Sequence, residues 1–159
     1  ARGGAAEVRS VDQAAPALEQ AERHFALNDD DPGVAACRHR TVRGDAFEAL
    51  ESLAGRGEAF DVVVVDPPTF ATAAEHRGRA LEAYGRLTRL AVGVLRPGGL
   101  LAQCSCSSRV EADAFFGRVL RSAEGAGRPL EEVERAGHPA DHPVGFPEGA
   151  YLKCLWARG

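Results

Sequence analysis

Apolar positions along this chain alternate between two rhythms, one of strands and one of helices. Ala5 to Asp12, AAEVRSVD, reads as a short strand that ends in an acid. From Gln13 to Asn28, residues Ala14, Ala17, Leu18, Ala21 and Phe25 fall on one helical face. Pro16 fits there in the first turn, where its missing N–H costs little. DDDPG, Asp29 to Gly33, predicts a turn. Cys37 to Arg43 predicts a second strand, followed by Asp45 and a short helix through Leu53 that Gly55 and Gly57 stop. FDVVVV, Phe60 to Val65, is a continuous apolar run rich in β-branched residues, the pattern of a parallel strand buried on both faces. Asp66-Pro67-Pro68 ends it, because prolines cannot continue a central strand. A longer helix follows with Leu81, Tyr84, Leu87, Thr88, Ala91 and Leu95 on one face, and Arg96-Pro97-Gly98-Gly99 reads as its stop. Leu100 to Ser105 predicts another buried strand, and Ala112 to Ala123 a helix. Glu131 to Arg135 and Ala150 to Ala157 predict two closing strands around a Pro/His/Gly-rich loop, His138 to Gly149.

This alternation predicts an α/β domain. Its sheet is expected to be mostly parallel, with helices on both faces and an antiparallel hairpin at the C-terminal edge. Ligands of such a sheet gather at the carboxyl ends of its strands. With 159 residues there is room for one domain. No apolar run reaches the roughly 18 residues that a membrane span needs, and no signal-peptide pattern opens the chain. A net charge of −4, with acids and bases intermixed, excludes nucleic-acid binding by bulk charge. It leaves room for a local basic patch or for RNA held by another domain. None of the four cysteines has CxxC spacing, so a reducing, cytoplasmic setting is expected. The chain starts at Ala1 and contains no methionine, which predicts a fragment of a longer protein.

Three acids, Asp12, Asp45 and Asp66, stand at or just past predicted strand ends. Asp12 can accept from both ribose hydroxyls of a nucleotide-like cofactor, and Asp45 from an adenine amine. Each can equally be a helix N-cap, and one residue can serve both roles. Asp66-Pro67-Pro68-Thr69-Phe70 is more specific. The two prolines make a stiff loop that presents carbonyls and a carboxylate to a planar ligand, and Phe70 supplies a face for a base to stack on. The alternative is a strand-terminating turn with a buried Phe. His138 and His142 flank Asp141, but Pro139 and Pro143 break the helical spacing of a zinc motif, so no metal site is expected.

VRSVD, RGDAFEAL, FDVVVVDPPTF, LRPGGLL, CSCSS and ADHPV with FPEGAYLK follow one another over nearly the whole chain. Together these segments resemble the class I methyltransferases that use S-adenosylmethionine and act on ribosomal RNA. Among these the pattern is most similar to the bacterial cytosine-C5 enzymes of the large subunit. The resemblance implies a Rossmann-like sheet, with Asp12 on the cofactor ribose, Asp45 and Ala46 at the adenine, and Asp66 at both cofactor and base. It implies that Pro67, Pro68 and Phe70 line the substrate and that Cys106, between Ser105 and Ser107, is the nucleophile. Cys104, Cys37 and Cys154 are then packing residues. His142 or Glu148, in the terminal loop, would touch substrate or cap the turn.

Carbon 5 of cytosine is a poor nucleophile, and thiolate addition at carbon 6 gives it enamine character. Proton donation or a hydrogen bond at N3 from Asp66 would stabilise that adduct. Arg109 is the one obvious cation near Cys106 in the sequence. The resemblance also implies that the first strand, its glycine loop and the N-terminal RNA-binding modules lie outside this chain. The isolated chain is then expected to bind S-adenosylmethionine weakly or not at all. Two alternatives stay open: a guanine-directed methyltransferase that uses DPPTF without a cysteine, and a non-catalytic domain that contributes RNA or protein contacts.

Overall fold

The computed structural model describes residues 1–71, 73–146 and 149–159, and only the backbone of Ala74. The chain divides into two compact units, Ala1–Ser52 and Leu53–Gly159. The first contains strands β1 (Glu7–Asp12) and β2 (Arg38–Arg43), paired in parallel from Glu7↔Arg38 to Asp12↔Arg43. Between them run helix α1 (Ala15–Ala26) and a single helical turn, α2 (Pro32–Ala35). Pro16 does lie in the first turn of α1, which packs on both strands. The DDDPG segment is more than a turn. Asp31 caps α2 by accepting from Gly33 N at 2.9 Å and Val34 N at 3.3 Å, and Pro32 starts the helix. Helix α3 (Ala46–Gly55) follows β2, and its last turn belongs to the second unit.

The second unit carries β3 (Phe60–Val65), α4 (Arg77–Gly93), β4 (Leu95–Ser105), α5 (Ala112–Gly125), β5 (Glu131–Ala136) and β6 (Lys153–Arg158). Its sheet has the order β3-β4-β6-β5, with β3 parallel to β4 and β6 antiparallel to both of its neighbours. The closing hairpin is antiparallel as expected, but β6 sits inside the sheet and β5 forms the edge. EEVERA suits that place, since charged side chains keep an edge strand from pairing further. Helix α4, with α5 packed on it, lies over β3 and β4. Phe115 of α5 meets Tyr84 of α4 edge-on, with centroids 5.0 Å apart, and both side chains are fully buried.

Two expectations fail here. Val63 and Val65 are each 8 % exposed, whereas Val62 and Val64 are 54 % and 64 % exposed. The strand is therefore buried on one face within its unit, not on both. Val63 and Val65 register with Leu101 and Gln103, and Gln103 bonds to the backbone of α4, which places this face under the helix. The second failure is Arg96-Pro97-Gly98-Gly99. Helix α4 already stops at Gly93, and Leu95 opens β4, so the glycine pair lies inside a strand. The register slips there, from Phe60↔Leu95 to Val62↔Leu100. Gly98 has φ +75°, and a Cβ on Gly99 would meet Arg96 O at 2.9 Å and Asp61 O at 3.0 Å. The glycines allow a kink that a side chain would block.

Candidate active site

β3 and β4 are parallel neighbours, so their carboxyl ends deliver two loops side by side: Asp66–Phe70 and Cys106–Ser108. The structure brings the two motifs into contact. Thr69 Oγ1 and Cys106 Sγ share a hydrogen bond at 3.1 Å, and Cys106 is half-buried. Thr69 lies inside the DPPTF motif, and its own role was not expected from the sequence. Asp66, Pro68 and Thr69 are exposed, and Pro67 and Phe70 half-buried. Phe70 leans on Tyr84 with centroids 5.0 Å apart and also lines a cavity of about 420 Å³ with His76 and Arg79. It thus combines the packing role with an open approach for a ligand.

The serines around Cys106 are tied into the core. Ser105 Oγ shares a hydrogen bond with the Tyr84 hydroxyl at 2.8 Å and accepts from Ser107 N at 3.3 Å. Ser107 Oγ donates to Ala71 O at 3.3 Å, just past the DPPTF motif. Below this turn, Thr88 Oγ1 lies 2.8 Å from Tyr84 O and 2.9 Å from Gln103 Oε1, while Gln103 Nε2 donates to Tyr84 O at 3.1 Å. Such satisfied buried networks hold one geometry firmly. Burial pushes the Tyr84 hydroxyl above its ordinary pKa; the Ser105 bond opposes this, and the charges of Cys106 and Asp66 add to it.

Cys104 and Cys154 face each other across β4 and β6 as free, half-buried thiols 3.1 Å apart. Burial is the main cause that raises both, so they stay protonated and pack. Cys37 is buried in the first unit, as expected of a packing residue.

Asp12 and Asp45 stand at the ends of β1 and β2 within the first unit. Asp12 is exposed, and its Oδ1 accepts from Ala14 N at 2.7 Å. Asp45 caps α3, with Oδ1 accepting from Phe47 N at 2.8 Å and Glu48 N at 3.3 Å, and its Oδ2 takes the Gln13 amide at 2.8 Å. Ala46, the first residue of α3, is exposed. Both acids therefore make local turn or cap bonds. Asp12 leaves its carboxylate open to solvent, whereas Asp45 gives one oxygen to the helix and the other to Gln13.

In the terminal loop, His138 Nε2 accepts from Tyr151 N and Leu152 N, both at 3.2 Å, and its ring stacks on His142. That nitrogen is taken by the backbone. Glu148 lies outside the described residues. The other residue that sequence reasoning passed over is Lys153, the lysine of YLK. Its side chain is buried, and Nζ donates to Ser107 O at 2.7 Å and to Tyr151 O at 2.9 Å. Arg109, the cation expected near Cys106, is exposed and lines a cavity of about 510 Å³ with Ser108, Glu111 and Lys153.

A ribosomal RNA large subunit methyltransferase of Deinococcus radiodurans is 41% identical over 156 residues, which are 98% of this chain and 37% of that protein. Ribosomal RNA large subunit methyltransferase I of Shewanella amazonensis is 39% identical over 163 residues, covering 99% of this chain and 39% of its own length. Over nearly its whole length the chain is similar to one part of these ribosomal RNA large subunit methyltransferases. It spans less than two fifths of the length of these relatives. No family model matches it. Among solved structures, a protein of Streptococcus mutans described as a SAM-dependent methyltransferase superposes with a TM-score of 0.80 at 20% identity, over 99% of this chain and 39% of that one. NSun6 from Pyrococcus horikoshii, in a structure with SFG, gives 0.64 at 18% identity, over 96% of this chain and 41% of that one. The fold is thus the Rossmann-like methyltransferase fold. Among the described residues, no helix is long and apolar enough to cross a membrane.

Proposed function

We propose that this chain is the catalytic part of an S-adenosylmethionine-dependent methyltransferase of large-subunit ribosomal RNA, acting in the cytoplasm on carbon 5 of a cytosine. The observation that carries the carbon-5 reading is the Thr69–Cys106 hydrogen bond at 3.1 Å, which joins a nucleophile candidate to the DPPTF loop. Methylation at a base nitrogen requires no thiol at that point, whereas attack at carbon 6 does. The Cys106 thiolate would add to carbon 6, moving the π-electrons toward carbon 5 and N3, where a hydrogen bond or proton from Asp66 can meet them. Carbon 5 then takes the methyl group that S-adenosylmethionine supplies. Loss of the carbon-5 proton to a base drives the electrons back and expels Cys106 as thiolate. Pro67, Pro68 and Phe70 would hold the base in plane, and the buried serine–tyrosine network would keep the thiol aimed.

Asp12, Asp45 and Ala46 would hold the cofactor's nucleoside end. The strand and glycine loop expected beside them, and the modules that hold the RNA, would come from sequence outside this chain. The decisive experiment uses Cys106→Ala in the complete protein. Methylation of ribosomal RNA and the covalent adduct with 5-fluorocytosine RNA should both vanish. Retained methylation would remove the cysteine mechanism, and mass spectrometry of the nucleosides would then show whether a guanine is the acceptor.

A further inference from the structure

β6 places Lys153, Leu155 and Ala157 on one face, and all three are buried. Two are ordinary core residues; the third is a lysine only 7 % exposed. A buried ammonium is costly, and two carbonyl oxygens compensate it only in part. Any apolar residue of similar length would fill this slot at lower cost. The side chain reaches across the register pair Ser105↔Lys153 to the carbonyl of Ser107, the residue that follows Cys106. Its second acceptor, Tyr151 O, belongs to the approach to β6, so one ammonium ties the cysteine turn to the neighbouring strand. Burial holds the Lys153 amine below its ordinary pKa, while the charges of Glu111 and of a Cys106 thiolate favour its protonated form.

We propose that Lys153 is a positioning residue for the Cys106 nucleophile, its buried ammonium fixing the Ser107 carbonyl and supplying the positive charge against which the thiolate forms. This rests on the reading of Cys106 as nucleophile. It gives the lysine of YLK a task that Arg109, exposed to solvent, performs less well because water screens it.

The test is the rate at which iodoacetamide labels Cys106 in the complete protein near neutral pH, read peptide by peptide, with Cys104 and Cys154 as internal controls. Lys153→Gln should slow labelling of Cys106 about tenfold through loss of the charge, and Lys153→Arg should restore most of it. Lys153→Met, apolar and of similar length, carries the same expectation as Gln. A purely structural lysine gives the opposite sign, because a loosened turn exposes Cys106, Cys104 and Cys154 together. Equal or faster labelling of Cys106 in the Gln and Met variants therefore overturns the proposal. Labelling needs no methylation, so this proposal and the Cys106→Ala test can fail independently.

Discussion

The two units of this chain reach their chemistry by different means. In Ala1–Ser52 the buried apolar side chains are Leu18, Val34 and Cys37, each still 7–8 % exposed. Most of its ion pairs lie at the surface, with Arg38 and Arg40 beside Glu7 and Arg2 bonded to Asp31, while Arg9 makes a part-buried pair with Glu7. Surface pairs of this kind contribute little, and a piece of this size buries a small share of its surface. In Leu53–Gly159 Tyr84, Phe115, Leu101, Val119 and Ala157 are fully buried. The first unit offers an exposed and a half-buried carboxylate, Asp12 and Asp45, engaged in local turn and cap bonds; the second suspends a thiol from a dense core. A site for a dissociable nucleotide can tolerate the former, whereas a nucleophile that must be aimed benefits from the latter.

The largest effect that would break this contrast is a core truncation. Phe115→Ala removes a ring held between Tyr84 and Phe116 and should cost about 3–5 kcal/mol. Leu18→Ala in the first unit should cost about 2 kcal/mol, because the site is already partly wet. Urea unfolding measures both, by circular dichroism for the whole chain and by the fluorescence of Trp156, the single tryptophan, for the second unit. Equal losses would mean that the first unit is as tightly packed as the second.

Much of this contrast was legible in the sequence, and the exceptions have physical reasons. The run FDVVVV fixed the place of β3 but not which faces are covered, because an apolar run is silent about its neighbours. Val62 and Val64 show the difference. RPGG reads as a helix stop by composition; only the close approach of Gly99 to Asp61 O reveals a kinked strand. The position of β6 between β4 and β5 is a tertiary fact with no local signal. Lys153 was hidden for a related reason. A lysine in a terminal strand reads as surface until the register sets it beside Ser105. The motifs DPPTF and SCS were legible; the contact that Thr69 makes between them was not.

A smaller effect, of opposite sign in the two units, comes from pH. Hydrogen bonds from Arg9 and Arg2 hold Glu7 and Asp31 below the ordinary carboxylate range. Whatever stability they add to the first unit is present above that range and lost as pH falls below about 4. In the second unit burial holds Tyr84, Cys104 and Cys154 above their ordinary values. The folded unit binds these protons more tightly than the unfolded chain, so that stability is present below about pH 9 and lost as pH rises further. Melting near pH 3, 7 and 10, followed by circular dichroism and by Trp156, should show acid loss without a Trp156 signal and alkaline loss with one. A Trp156 transition that moves first in acid would reverse the assignment.

The smallest expected effect concerns Asp45, where a cap and a ligand compete for one carboxylate. Asp45→Ala removes the acceptor for Phe47 N and Glu48 N and should cost about 1 kcal/mol. Asp45→Asn keeps one oxygen for those two donors and should leave stability almost unchanged, since Asn caps as well as Asp. It has no second oxygen, however, to do what Oδ2 does for Gln13 now and would do for an adenine amine. If the carboxylate serves only the helix, the Asn variant of the complete protein binds S-adenosylmethionine like the parent. If it serves both, calorimetry should show affinity about tenfold weaker with an unchanged melting temperature. The second outcome is the one expected, and it would show that a half-buried cap in the lightly packed unit also serves the cofactor.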